Sequence, residues 1–272
     1  MTISSLNGVI AGMQTLQYGT RFWTAPPANR PIDLWYGSGI NNSAGAADTT
    51  LNGVVLSSSA GVLAGQIPRV DAPGGASAYI ARATAMNSVQ TGIAAICDRL
   101  WHNGGITITS TSLQSIVSPA WPLRDSNGTS NGEGVYVGLS VSATTGAGTP
   151  TAVLSYTNST GASGRTSSLI DVTVGSSTVG MFYRFGLQSG DTGIQSVQGI
   201  TFTGPWASGT VNLVAYRILA TLDVDLICFA SAVDPITSGL PQVYNGTVPF
   251  WMMLSSGTNS SLLTFSYAET QG

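Results

Sequence analysis

Few residues in this chain are equipped for chemistry. His102 is the single histidine, so imidazole groups cannot cluster to hold zinc or another transition metal. A hydrolytic triad would have to be built on it, yet no Gly-x-Ser-x-Gly elbow occurs. Asp223 and Asp225 lie two apart in Leu222-Asp223-Val224-Asp225-Leu226. On a strand they would share one face at a separation of about 6.5 to 7 Å, which suits paired-carboxylate glycoside cleavage. No sugar cleft is legible around them, and two solvated strand residues is the simpler reading. The run Asp125-Ser-Asn127-Gly-Thr129-Ser-Asn131-Gly-Glu133 places oxygen ligands at every second position, as a calcium loop does. Its glycine is misplaced for an EF-hand and Tyr136 stands where the bidentate glutamate belongs, so an Asx-rich turn is expected. Cys97 and Cys228 are too few for a disulfide framework and read as buried thiols. Trp121, before Pro122, and Trp206, after Gly204-Pro205, are candidate glycan contacts by ring stacking; the alternative is that both are core. The expectation is a chain with no catalytic residue, no cofactor and no metal.

The elements that would position these groups fall into three stretches. From Ser77 to His102, Met86, Val89, Ile93, Ile96 and Leu100 recur at steps of three and four, the spacing of one helical face. Ser77 can cap such a helix, Pro73-Gly74-Gly75 blocks it upstream and Asn103-Gly104-Gly105 closes it downstream, where His102 would cap the last carbonyls. The sequence therefore predicts one long α-helix over 77–103, roughly 39 Å in length. Its period is near 3.5, that of a self-associating seam, so these five residues are the expected oligomer interface; a helix packed on its own sheet is the alternative.

Residues 1–76 read as an extended N-terminal anchoring arm. Tyr18, Phe22, Trp23, Trp35 and Tyr36 follow no regular period, and only a short helix near Leu6 to Tyr18 and short strands near Ile32 to Tyr36 and Leu51 to Leu56 are suggested. Residues 104–272 alternate with period two between turn signals, as in Val135, Val137, Leu139 and Val141. Without crossover helices the sheets must be mainly antiparallel, and roughly nine or ten strands fit a jelly-roll-like β-sandwich. The fold class is thus mainly β, a sandwich preceded by a helix and an arm.

Only 8% of the 272 residues are charged, and the net charge is −3. That argues against nucleic acid, which needs a clustered basic face. The most apolar window, Val211 to Ala230, is interrupted by Arg217, Asp223 and Asp225, so no membrane span is expected. The N-terminus lacks a basic region followed by an apolar one, and a cytoplasmic site of synthesis is expected. All nine cationic residues are arginine. Arginine is favoured and lysine depleted at buried contacts, so the pattern suits a surface covered by neighbours; codon bias is the other source of such usage.

The phrases CDRLWHNGGITITSTSLQSI, WPLRDSNGTSNGEGVYVGLSVSATTGAG, LSYTNSTGASGR and FGLQSGDTGIQSV together resemble tailed-bacteriophage virion structural proteins of the head-decoration or head-fibre type. The resemblance covers roughly Ile96 to Val197 well, the later strands loosely and the arm before Ser77 not at all. It implies a virion protein without enzyme activity, made in the host cytoplasm. The expectation that follows is a capsid decoration or cement protein, a homotrimer attached to the major capsid protein or another virion protein through the arm. The rival is a tail or fibre-tip module that recognises host surface polysaccharide.

Overall fold

The computed structural model describes residues 5–25, 30–40, 43–59, 61–74, 76–235, 239 and 241–272; Gly75, counted above among the helix-blocking residues, lies outside them. One short helix, α1 (Leu6–Ala11), starts at Ser5, whose Oγ accepts the Gly8 N–H. The strands follow as β1 (Gln17–Trp23), β2 (Pro31–Asp33), β3 (Val54–Val55), β4 (Ala78–Asn87), β5 (Gly92–His102) and β6 (Gln114–Ser115). Next come β7 (Val135–Ala143), β8 (Ala152–Asn158), β9 (Arg165–Ser168), β10 (Phe182–Arg184), β11 (Ile194–Phe202) and β12 (Thr210–Val224). The last are β13 (Ser231–Val233), β14 (Gln242–Val243), β15 (Pro249–Ser255) and β16 (Ser261–Gln271). A 3-10 turn, Leu34–Tyr36, follows β2. The chain is mainly β, and its paired strands are antiparallel.

The long helix is not there. Residues 77–103 form the hairpin of β4 and β5 instead. Asn87 breaks any helix, because its Oδ1 accepts the N–H groups of Val89 (3.1 Å) and Gln90 (3.3 Å) in an Asx turn. Gly92 then takes φ +148 so that β5 can start, and a Cβ there would meet the Leu254 carbonyl oxygen. Steps of three and four land on both faces of a strand. Ile96 and Leu100 are therefore wholly buried, Met86 is half-buried, and Val89 and Ile93 are exposed.

The largest sheet runs β10-β7-β12-β5-β15-β2, with β3 beside β5. Its two outer strands meet: Ile32 bridges Met181, and the Asp33 N–H donates to the Gly180 carbonyl at 2.6 Å. The sheet thereby closes on itself, which removes its exposed edges. Cys97, Phe182, Val214, Tyr216, Phe250 and Met252 pack together inside with Trp35. Gly138 makes the fit possible, since a Cβ on it would lie 2.0 Å from the Phe182 ring.

Two smaller sheets cover the outside. The four-stranded β6-β11-β8-β9 closes a core containing Trp101, Trp121, Leu139, Leu154 and Trp206. The five-stranded β1-β16-β4-β13, with β14 beside β4, closes another around Ile80, Ile96, Leu222, Trp251 and Phe265. Strand β12 serves both. Val211, Leu213 and Ala215 face the first core, a register shift between Ile218 and Ala220 resets the alternation, and Ala220, Leu222 and Val224 face the second.

The described part of residues 1–76 is woven into the same sheets. β1 pairs with β16 from Gln17↔Tyr267 to Trp23↔Ser261, β2 with β15, and β3 with β5. Those aromatic residues lacked a period because Tyr18, Phe22 and Trp23 belong to strand β1 while Trp35 and Tyr36 belong to the 3-10 turn after β2. Neither position 76 nor position 103 separates one folded unit from the next.

Candidate functional site

A buried polar cluster lies inside the closed sheet, where Asp33 from β2, Arg99 and His102 from β5, Ser140 from β7 and Asn212 from β12 converge with Tyr36. Strand alternation and cross-strand pairing put them there: Asn212 is opposite Ser140, and Ser140 is opposite Phe182. Arg99 Nη1 lies 2.7 Å from Asp33 Oδ2, and Ser140 Oγ donates to the same oxygen at 2.9 Å. Arg99 Nε donates to His102 Nδ1 at 3.3 Å. The guanidinium sits between aromatic rings, 4.7 Å from the Trp35 centroid and 5.3 Å from that of Phe250. The Tyr36 hydroxyl donates to Asn212 Oδ1 at 2.6 Å, and burial raises its pKa.

The residue types are those of a hydrolase, but the connections are wrong for one. Ser140 gives its proton to Asp33, not to His102, and His102 accepts from a cation. Burial first, and the Arg99 charge second, push the His102 pKa down to about 3, so the ring is neutral and a poor base. The side chains of the ion pair are fully excluded from solvent. What the arrangement does is fix which strands neighbour one another around the closed sheet.

Two further buried arginines do the same work outside it. Arg124 Nε lies 3.0 Å from Asp98 Oδ2, and its other nitrogens donate to the carbonyls of Leu56 and Gly246. Arg69 makes a two-pronged pair with Glu269, at 2.9 and 3.2 Å, and Glu269 also accepts the Tyr267 hydroxyl at 2.6 Å. Sequence reading missed all three networks. The available signal was charge placed inside apolar strand text, as in Ile96-Cys97-Asp98-Arg99-Leu100-Trp101.

The predicted site residues are dispersed. Trp121 and Trp206 are core side chains, and their indole N–H groups donate to the Ile194 and Val174 carbonyls, so neither ring offers a face to a sugar. Asp125 accepts from the N–H groups of Asn127, Thr129, Gly132 and Glu133 and from the Thr129 hydroxyl, which uses both carboxylate oxygens inside an Asx-rich turn. Desolvation opposes these bonds and the bonds win, leaving its pKa lowered. Asp223 is exposed at the end of β12, and no cleft gathers around it and Asp225. Cys97 is buried, with its thiol pKa raised by desolvation, while Cys228 is exposed. Among the described residues no group of three or more His, Cys, Asp and Glu could hold a metal ion, and no helix is long and apolar enough to cross a membrane.

No family model matches the chain, and no curated protein matches it. Among solved structures it aligns with the VP2 subviral particle of infectious bursal disease virus at 9% identity and a TM-score of 0.19, covering 95% of this chain and 80% of that one. It aligns with T=1 particles derived from the same virus at 10% identity and a TM-score of 0.18, covering 95% and 78%. Superpositions this loose leave fold and role to be argued from the chain's own residues.

Proposed function

We propose that this chain is a non-enzymatic structural protein of a tailed-bacteriophage virion, a capsid-associated decoration protein that assembles as a homotrimer on the major capsid protein. The observation that carries this reading is where the charge goes. Arg21, Arg69, Arg99, Arg124 and Arg217 are buried, and Arg165 and Arg184 are bound to Asp191 and Asp171. The exterior left behind is close to neutral and carries exposed Leu6, Ile10, Tyr18, Val117, Leu123 and Phe229. Covering such a surface with another protein removes little charge from water, and so avoids a desolvation cost that a charged surface would carry.

The sequence resemblance over Ile96 to Val197 supports the same reading. So does the layering of the antiparallel sheet β6-β11-β8-β9 on the central sheet. Because β1, β2 and β3 are sheet strands, attachment falls to exposed faces and to α1 in place of a loose arm. Glycan recognition through Trp121 and Trp206 has no support in their buried positions.

Mass spectrometry of purified particles of the phage that encodes this chain tests the proposal. Peptides at the stoichiometry of a capsid component, removable as a trimer and able to rebind stripped heads, are expected. Absence of the chain from particles, or its recovery only with tails, would overturn it.

A further inference from the structure

Charges are scarce in this chain, and almost all are matched within it. Among the described residues Arg82 is the one arginine without a hydrogen bond or ion pair, and Asp223 and Asp225 are the bare acids. They stand on different sheets. Arg82 points out of the five-stranded sheet, alternating with Thr84 and Met86 on β4, on the side where Tyr18 and Phe22 of β1 are exposed. A shallow hollow of about 300 Å³ between Tyr18, Met86 and Ala230 has no charged residue in its lining. Asp223 belongs to the central sheet and lies directly opposite exposed Ile93, which is itself opposite exposed Leu254. Asp225 leads into a turn whose Leu226, Ile227 and Phe229 are exposed.

Resting on the homotrimer reading above, we propose that the occupant of the Arg82 face is a second copy of this chain, presenting its Asp223 and Asp225 face. Neither face paired with itself would bring Arg82 to the bare acids, Asp223 and Asp225. Pairing one with the other matches Arg82, which has no partner in its own chain, to Asp223 and Asp225, which have none in theirs. A contact between two different faces repeats from copy to copy, and with a rotation of one third of a turn it closes as the ring of three that the homotrimer requires. Val89 and Ile93, two of the residues assigned to an interface from sequence, lie on the hairpin that carries both faces.

Charge reversal in the full chain, read as molar mass by light scattering across a dilution series, tests the contact. Arg82→Asp alone, and Asp223→Arg with Asp225→Arg, are each expected to weaken association about tenfold or more. The chain carrying all three reversals is expected to recover it. Melting curves check folding, and Arg82→Gln and Asp223→Asn serve as milder variants should a reversal disturb it. A trimer indifferent to both reversals, or one not restored by the combination, would overturn this contact and leave the homotrimer standing. A native chain that stays monomeric at high concentration would overturn the homotrimer and this contact with it.

Discussion

Arg99 and Asp33 face each other across the inside of the closed sheet at 2.7 Å, both without solvent exposure, although they are 66 residues apart in sequence. Each is the other's compensation, because a lone charge in that position would have to be stripped of water with nothing in return. Asp33→Ala is therefore expected to destabilise the chain by about 3 to 5 kcal/mol in urea titrations. Replacing both residues with apolar side chains of similar volume is expected to cost far less than either single change. Equal and additive losses would show that the pair does not hold β2 in place.

His102 gives the chain an acid sensitivity with a definite sign. Its folded pKa, about 3, lies below the unfolded value of 6.5, so the unfolded state takes up a proton first as pH falls. The stability contributed by the neutral ring is complete above pH 6.5 and is lost at about 1.4 kcal/mol per pH unit as pH falls towards 3. Melting temperature should decline from pH 6.5 to pH 4.5, and His102→Gln should flatten that decline. An unchanged slope in the variant would place the sensitivity elsewhere.

Gly138 tests the closure of the sheet. A methyl group there would strike the Phe182 ring, whereas Gly175 has nothing within 4 Å of its Cβ position and an ordinary φ. Gly138→Ala is expected to cost about 1 to 3 kcal/mol by overpacking. Gly175→Ala should stay within about 0.5 kcal/mol of the native chain. Comparable melting temperatures for the two would mean that Phe182 does not need the space.

The strands after Gly104 were legible because alternation survives wherever one face is buried: Val135, Val137, Leu139 and Val141 all point into one core. The hairpin of β4 and β5 was not. Its buried residues include Ala78, Ala81, Ala83, Ala85 and Ala94, which suit helix and strand alike, and the register shifts at Ala268/Glu269 and Ala215/Tyr216 spoil a strict period of two. The alternation of Leu222-Asp223-Val224-Asp225-Leu226 reads as strand throughout, whereas Leu222 to Val224 merely end β12 and exposed residues follow. The polar cluster around Arg99 was illegible for a different reason. Its members lie between positions 33 and 212, and only the closure of the sheet brings them together.

The same networks decide what the N-terminal third is for. Asp33 pairs with Arg99, the Leu56 carbonyl accepts from Arg124 and Arg69 pairs with Glu269, so removing residues 1–76 would leave two buried cations, Arg99 and Arg124, and one buried carboxylate, Glu269, short of a partner at once. It would also strip β1 from seven register positions on β16 and reopen the central sheet at β2. A separable arm would come away without harm, whereas these residues complete the body. A chain starting at Ser77 is expected to lack a cooperative thermal transition by circular dichroism. A sharp transition near the native temperature would show that the β body stands without them and return the segment to the role of an anchor.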